Sequence, residues 1–190
     1  DEDKCISCGK CAEICQFKAI TLIAEKTLVF PEMCHACGGC MLVCPVDAIT
    51  YENREIGIVE TGKSNGVVFA QGRLNIGQVM SPPLIKQVKK LIPEDGINIV
   101  DCPPGTSCPV VECIRDADYV LLVAEPTPFG LNDLKLAVEV VEKLKKPYSV
   151  FINRANIGSQ DTVRFCEKHR IPIVSSIPDR VSMQNYCNVF

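Results

Sequence analysis

Six apolar residues run without a break from Tyr119 to Ala124. That is the pattern of a strand buried on both faces, as in a parallel sheet. Leu131 to Lys146 follows a period near 3.6, with Leu134, Ala137, Val138, Val141 and Leu144 on one stripe, and predicts an amphipathic helix. Tyr148 to Asn153 and Pro172 to Ile177 read as further strands. Ser159 to His169 reads as a helix between them, with Ser159 as its N-cap. Upstream, Pro82 to Ile92 predicts a helix with proline at its start and Lys86, Lys89 and Lys90 toward its end. Ile97 to Asp101 predicts a short buried strand after Asp95-Gly96, and Val110 to Ala117 a short helix. Strands alternating with helices imply a parallel α/β sheet with right-handed crossovers.

Ahead of this body the pattern differs. Ile56–Glu60 and Gly66–Ala70 read as two strands around a polar turn, Thr61–Gly66, within a hairpin over residues 56–76. Before the hairpin the chain repeats itself. Cys5-x2-Cys8-x2-Cys11-x3-Cys15 recurs 29 residues on as Cys34-x2-Cys37-x2-Cys40-x3-Cys44, followed by Pro45. Gly9 matches Gly38, and Ala19-Ile20-Thr21 matches Ala48-Ile49-Thr50. The predicted unit is a cysteine loop, a short helix and a strand, present twice and ending near Tyr51.

Composition narrows the function classes. The 190 residues are 47% hydrophobic and 23% charged, which supports a packed core and excludes intrinsic disorder. The longest apolar run is too short to span a bilayer. A net charge of −3 argues against a sequence-general nucleic-acid binder. Thirteen cysteines is an odd number, and no export signal is visible, so a secreted disulfide scaffold is a poor fit. Clustered thiols without export signals point to a reducing cytoplasm and to metal or redox work. With His35 and His169 as its two histidines, the chain has little scope for histidine-based metal sites. It opens on Asp1, four residues before Cys5, and is expected to be a piece of a longer one.

The eight paired cysteines suit iron–sulfur cubanes. Each Cys-x2-Cys-x2-Cys loop wraps a cluster with three thiolates, and Gly9 and Gly38-Gly39 ease the turns. The fourth cysteine opens a helix pointing away and, in two-cluster ferredoxins, reaches the other cluster. Cys5, Cys8, Cys11 and Cys44 are therefore expected around one [4Fe–4S] cluster, and Cys34, Cys37, Cys40 and Cys15 around the other. Structural zinc is the alternative, but zinc ribbons need two cysteine pairs per ion rather than two quartets in register. Residues 1 to about 52 resemble bacterial-type two-cluster ferredoxins, with Gln16 where that family usually has proline. His35, inside a loop, is expected to tune rather than ligate.

Gly57-Ile-Val-Glu-Thr-Gly62-Lys63-Ser64 satisfies G-x4-G-K-[ST]. A working phosphate loop follows a buried strand and opens a helix. Here a polar stretch precedes it and a turn into a strand follows, so a hairpin turn with a surface lysine is the expectation.

In the α/β half, Asp101 stands at the expected carboxyl end of a strand, where such sheets bind ligands. It is followed by Cys102-Pro-Pro-Gly105. With Asp101–Val110, Leu121–Thr127, Val150–Arg154 and Ile177-Pro-Asp179 in that order, the chain resembles MinD/ParA-type P-loop ATPases, and more narrowly those with an inserted ferredoxin domain. The resemblance implies Asp101 as a Walker B acid near Mg²⁺ and Gly105 in a switch segment sensing the γ-phosphate. It also implies Asn153 and Arg154 at the adenine, Pro178 and Asp179 lining the base pocket, and Glu125-Pro-Thr127 near the nucleotide. The family's N-terminal strand, Walker A loop and helix do not precede Asp1; roughly 60 residues, about two β/α units, are missing from the pattern. Apolar surface from the helix at Leu131 is then expected to be exposed. The end at Val189-Phe190 suggests a short final helix. Cys102 and Cys108 could bridge a metal in a dimer or respond to redox; with Cys113, Cys166 and Cys187 they are otherwise small buried hydrophobes.

The fold class expected is an incomplete P-loop NTPase-like α/β parallel-sheet body plus a small α+β ferredoxin-like 2[4Fe–4S] domain. The domains expected are 1–55, a 56–76 hairpin connector, and 77–190. The function expected is single-electron transfer to a redox partner protein, gated by ATP and Mg²⁺ in a complete chain. The resemblance implies an ATPase and a homodimer. Two alternatives stand: a plain ferredoxin-type carrier with a vestigial body, and a cluster assembly or transfer ATPase.

Overall fold

The computed structural model describes residues 1–179, in two compact units, Asp1–Asp95 and the unit that starts at Gly96. Cys187 and Val189-Phe190 lie outside the described residues.

In the first unit each cysteine loop runs into a short helix, α1 (Lys10–Ile14) and α2 (Gly39–Leu42). The residue before each helix, Gly9 or Gly38, has φ of 76° or 86°. A side chain is disfavoured there, which is why both copies carry glycine. After α1 the chain forms β1 (Ile20–Ile23) and returns as β2 (Lys26–Val29). Here the two copies diverge. Ala48-Ile49-Thr50, expected as the second copy's strand, is not one. A strand needs a neighbour to take its N–H and C=O groups. Lys26–Val29 supplies one in the first copy, whereas polar Glu52–Glu55 does not turn back in the second.

The hairpin follows as β3 (Gly57–Ser64) and β4 (Val67–Leu74). Its strands extend beyond the expected limits because the turn is only Asn65-Gly66, both at positive φ (49° and 83°), the preferred two-residue hairpin chemistry. Helix α3 (Pro82–Lys89), shorter than expected at its C-terminus, packs on it. A Cβ on Gly72 would stand 2.8 Å from Leu84 and 3.0 Å from Val88, so the helix approaches through that glycine.

In the second unit α4 (Cys108–Ile114) precedes β5 (Val120–Ala124), α5 (Pro128–Lys143), β6 (Tyr148–Asn153), α6 (Asp161–His169) and β7 (Ile173–Ile177). The sheet is parallel in the order β5-β6-β7. Helix α5 starts a turn earlier than its apolar stripe because Thr127 caps it, its Oγ1 accepting from Gly130 N at 3.0 Å. At α6 the N-cap residue is Gln160; Ser159 Oγ accepts from Asp161 N at 3.3 Å. Ala124, Leu134, Val138, Val150, Ile152, Cys166 and Ile171 form the core.

Two expectations are corrected. The stripe of α5 is buried, with Leu134 3% exposed, so the helix at Leu131 does not shed its apolar face. Uncovered apolar surface lies on the sheet, at Leu121 (50%) and Val123 (64%), and on α5 outside the stripe, at Phe129 (85%). Ile97–Asp101 is not a strand, and Ile97 and Ile99 are 96% and 91% exposed. Hydrophobic character alone does not make a strand when no ladder takes up its backbone. No helix among the described residues is long and apolar enough to cross a membrane.

Candidate metal centre

The two cysteine loops share their backbone. Ser7 and Ala36 have φ of 53° and 50°, and Lys18 and Asp47 have 54° and 47°. Ala19 N donates to Cys15 Sγ at 3.3 Å, and Ala48 N donates to Cys44 Sγ at 3.2 Å. Ala19 and Ala48 are both buried. Backbone N–H groups aimed at sulfur stabilise thiolate over thiol. At Cys15 burial alone would raise the pKa, but N–H groups from Ala19, Phe17, Ile20 and Lys18 outweigh it and hold the thiol below its usual value.

Within each loop the first three thiols act on one another electrostatically. Burial first, then the neighbouring Cys8 and Cys5 thiolates, push the Cys11 thiol up. Cys40 is pushed up in the same way by burial and by Cys34 and Cys37. A trio of mutually repelling thiolates favours a positively charged metal group between them. Among the described residues no three His, Cys, Asp or Glu side chains are grouped to hold a metal ion. The fit to a larger group rests on the two matching cysteine quartets and the N–H···S bonds.

Where the fourth cysteines sit bears on ligation. A Cβ on Gly39 would touch Ile14 Cδ1 at 3.7 Å and Cys37 Sγ at 3.8 Å. The end of α1, which leads into Cys15, therefore abuts the second loop. Phe17, two residues past Cys15, stacks on His35, beside Cys34, with ring centroids 3.5 Å apart and planes 4° apart. Gln16, where a proline was expected from the resemblance, thus lies within a segment pressed against the second loop.

Residues 1–51 match the family model of the 4Fe-4S dicluster domain. That match supports an iron–sulfur electron-transfer role for the cysteine region. Two relatives come from Methanocaldococcus jannaschii. The uncharacterized protein MJ0579 is 34% identical over 147 residues, covering 76% of this chain and 54% of its own length. The uncharacterized protein MJ0578 is 34% identical over 182 residues, covering 95% of this chain and 64% of its own length. The chain thus spans less than two thirds of either relative. No solved structure matches the chain.

The residues singled out in the α/β half fall into two sets. At the carboxyl ends of the sheet strands, Arg154 (φ 52°) places NH1 3.3 Å from Glu125 Oε1 and Nε 3.8 Å from Asp179 Oδ1. Asn153 Oδ1 accepts from Arg154 N at 3.0 Å. Asn156 Oδ1 accepts from Asp179 N at 2.5 Å, and Ala155 N donates to Ile177 O at 2.8 Å. Pro178 precedes Asp179 in the same exposed loop. The loops after β5, β6 and β7 therefore meet around one guanidinium. Asp101 and Gly105 form the other set. Both are exposed in a segment without strand, so Asp101 does not end a strand as expected. Gly57–Ser64 is strand β3 with Lys63 opposite Val68, and lacks the strand–loop–helix geometry of a phosphate loop. Cys102 is half-buried and Cys108 exposed, while Cys113 and Cys166 are buried, Cys166 in the sheet core.

Residue-type reasoning missed Ser7 and Thr27 near Cys5, and the Phe17–His35 stack. The repeat carried a signal for the first two. Twenty-nine residues on, Ser7 becomes Ala36 and Thr27 becomes Ile56.

Proposed function

We propose that the protein is a one-electron carrier holding two [4Fe–4S] clusters, with Cys5, Cys8, Cys11 and Cys44 as one ligand set and Cys34, Cys37, Cys40 and Cys15 as the other. The observation that carries this is the seating of the segment around Cys15 on the second loop, through Ile14 against Gly39 and Phe17 against His35. A bound cluster supplies single-electron redox chemistry at low reorganisation cost. The chain's own part is to present thiolates and to aim N–H groups at them. It also keeps Cys8 and Cys37 exposed, which favours electron exchange with a redox partner protein. Anaerobic reconstitution of the full chain tests the reading. It expects about eight iron and eight sulfide per chain and two reversible one-electron couples. Cys15→Ser should alter the same couple as Cys37→Ser, and Cys44→Ser the same couple as Cys8→Ser. The opposite grouping, or zinc in place of iron, would overturn it.

A second reading concerns the α/β unit. The meeting of Glu125, Arg154 and Asp179 at the strand ends favours a ligand site there, the place an open parallel sheet uses. On the MinD/ParA resemblance the ligand is ATP with Mg²⁺, Asn153, Arg154, Pro178 and Asp179 face the base, and Asp101 and Gly105 face the phosphates. The nucleotide cycle then gates docking of the electron carrier, and residues 1–55, 56–76 and 77–190 act as carrier, connector and ATPase body. Calorimetry of ATP·Mg²⁺ on cluster-loaded protein tests it. Binding should be lost in Arg154→Ala and unchanged in Lys63→Ala, because Lys63 is on a hairpin strand. Absence of binding leaves a plain electron carrier.

A further inference from the structure

The internal repeat makes each half a control for the other, and the halves differ around their first cysteine. Cys5 Sγ lies 3.6 Å from Thr27 Oγ1, and Thr27 is half-buried on β2. Ser7 Oγ donates to Glu25 O at 2.5 Å. Glu25 and Ala24 form the β1–β2 turn, both at positive φ (65° and 47°), a conformation costly for residues with a Cβ. Ser7 thus anchors a strained turn, and two residues past it Thr27 meets the sulfur. In the second half Cys34 Sγ accepts from Ala36 N at 3.4 Å. The positions corresponding to Ser7 and Thr27 are Ala36 and Ile56, and Ala48–Thr50 forms no strand to match β1. Tyr51 stands on the second loop where the first has Leu22, its hydroxyl 3.6 Å from where a Cβ on Gly38 would be.

We propose that Thr27, positioned by Ser7, gives the Cys5 ligand set the higher of the two reduction potentials, so that the first electron taken up resides there. The inference rests on the electron-carrier reading above. Its physics is charge balance. Reduction adds one electron, supplied by an electrode or by dithionite, with no proton taken up and no bond made at the cysteines. A hydroxyl donating to a ligand sulfur stabilises the more negative state and raises the potential. The second ligand set has the backbone donor but not the hydroxyl.

The test is voltammetry and EPR-monitored titration of the full cluster-loaded chain. Thr27→Val should lower the upper couple, with a roughly fivefold fall in its equilibrium constant for reduction, the scale of one hydrogen bond. The lower couple should not move. Thr27→Ser should restore the upper couple, and Tyr51→Phe should leave it in place. Ser7→Ala, which copies the residue already present in the second half, should shift it the same way by less and serves if Thr27→Val fails to load. A shift confined to the lower couple, or none in either variant, overturns the proposal. A wild-type chain with no reversible couple overturns the electron-carrier reading itself, and the proposal with it.

Discussion

Gly158 is the position where a single methyl group should do the most damage for its size. It lies in the loop after β6 with φ of 83°, and a Cβ built there overlaps the Pro126 carbonyl in the loop after β5. The two loops are joined by Ser159 N donating to Pro126 O at 2.9 Å. Alanine at Gly158 meets two costs. The left-handed backbone costs about 1–2 kcal/mol. The displaced carbonyl forfeits the Ser159 bond, about 1 kcal/mol. The stiffer unfolded chain returns about 0.4–1 kcal/mol. The net expected is a loss of about 1–3 kcal/mol. Two glycines separate the causes. Gly105 also has positive φ (96°) but open space around its Cβ position, so alanine there should cost only the backbone term. Gly62 has neither problem, and alanine there should be neutral or slightly stabilising. Urea titration followed by hydrogen exchange reads Gly158→Ala and Gly105→Ala in peptides from 120–177 of the second unit, and Gly62→Ala in peptides from its own hairpin, 57–74. Gly158→Ala matching the wild type, or Gly62→Ala proving as harmful, would refute the steric account.

Leu134→Ala should cost about 2–4 kcal/mol in the same exchange measurement, since Leu134 sits in the sheet core at 3% exposure, while cluster absorbance stays unchanged. Burial first, then the hydrogen bond to Glu142, push the Tyr148 phenol from the usual 10 up to about 12. The folded state thus holds that proton more tightly than the unfolded chain. The stabilisation is complete below pH 10 and lost as pH rises toward 12, so alkaline denaturation curves should show that loss in wild type and not in Tyr148→Phe. Stripping metal with a chelator should abolish protection from exchange in residues 1–51, whose buried apolar set is Ala19, Ile20 and Ala48, and leave that of 120–177 intact. Protection surviving in both regions would show that the small core suffices without metal.

Local patterns account for what the sequence made readable. The 29-residue repeat exposed the two cysteine loops because cluster ligation demands fixed spacing, and glycine stands where the backbone is left-handed, at Gly9 and Gly38. The α5 stripe was readable because a 3.6 period states which face is buried. The uninterrupted run at Val120–Ala124 identified a strand of a parallel sheet. The failures share a different cause. Ile97–Asp101 has a strand's composition and Ala48–Thr50 a strand's precedent in the first repeat, yet neither forms a strand. The hairpin ran longer than its hydrophobic pattern because its ends are set by the Asn65-Gly66 turn.

By itself the sequence determined the cysteine spacing, the duplicated loops and the amphipathic helices, since each follows from spacing or period within a few residues. Only the tertiary structure decided which strands exist, because a strand's hydrogen bonds are made with a partner distant in sequence. The tertiary structure likewise set Arg154 between Glu125 and Asp179, seated Phe17 on His35, and brought the Thr27 hydroxyl to Cys5. These contacts join residues up to tens of positions apart, where neither period nor motif reaches. Through them, two loops of identical spacing acquire unequal surroundings.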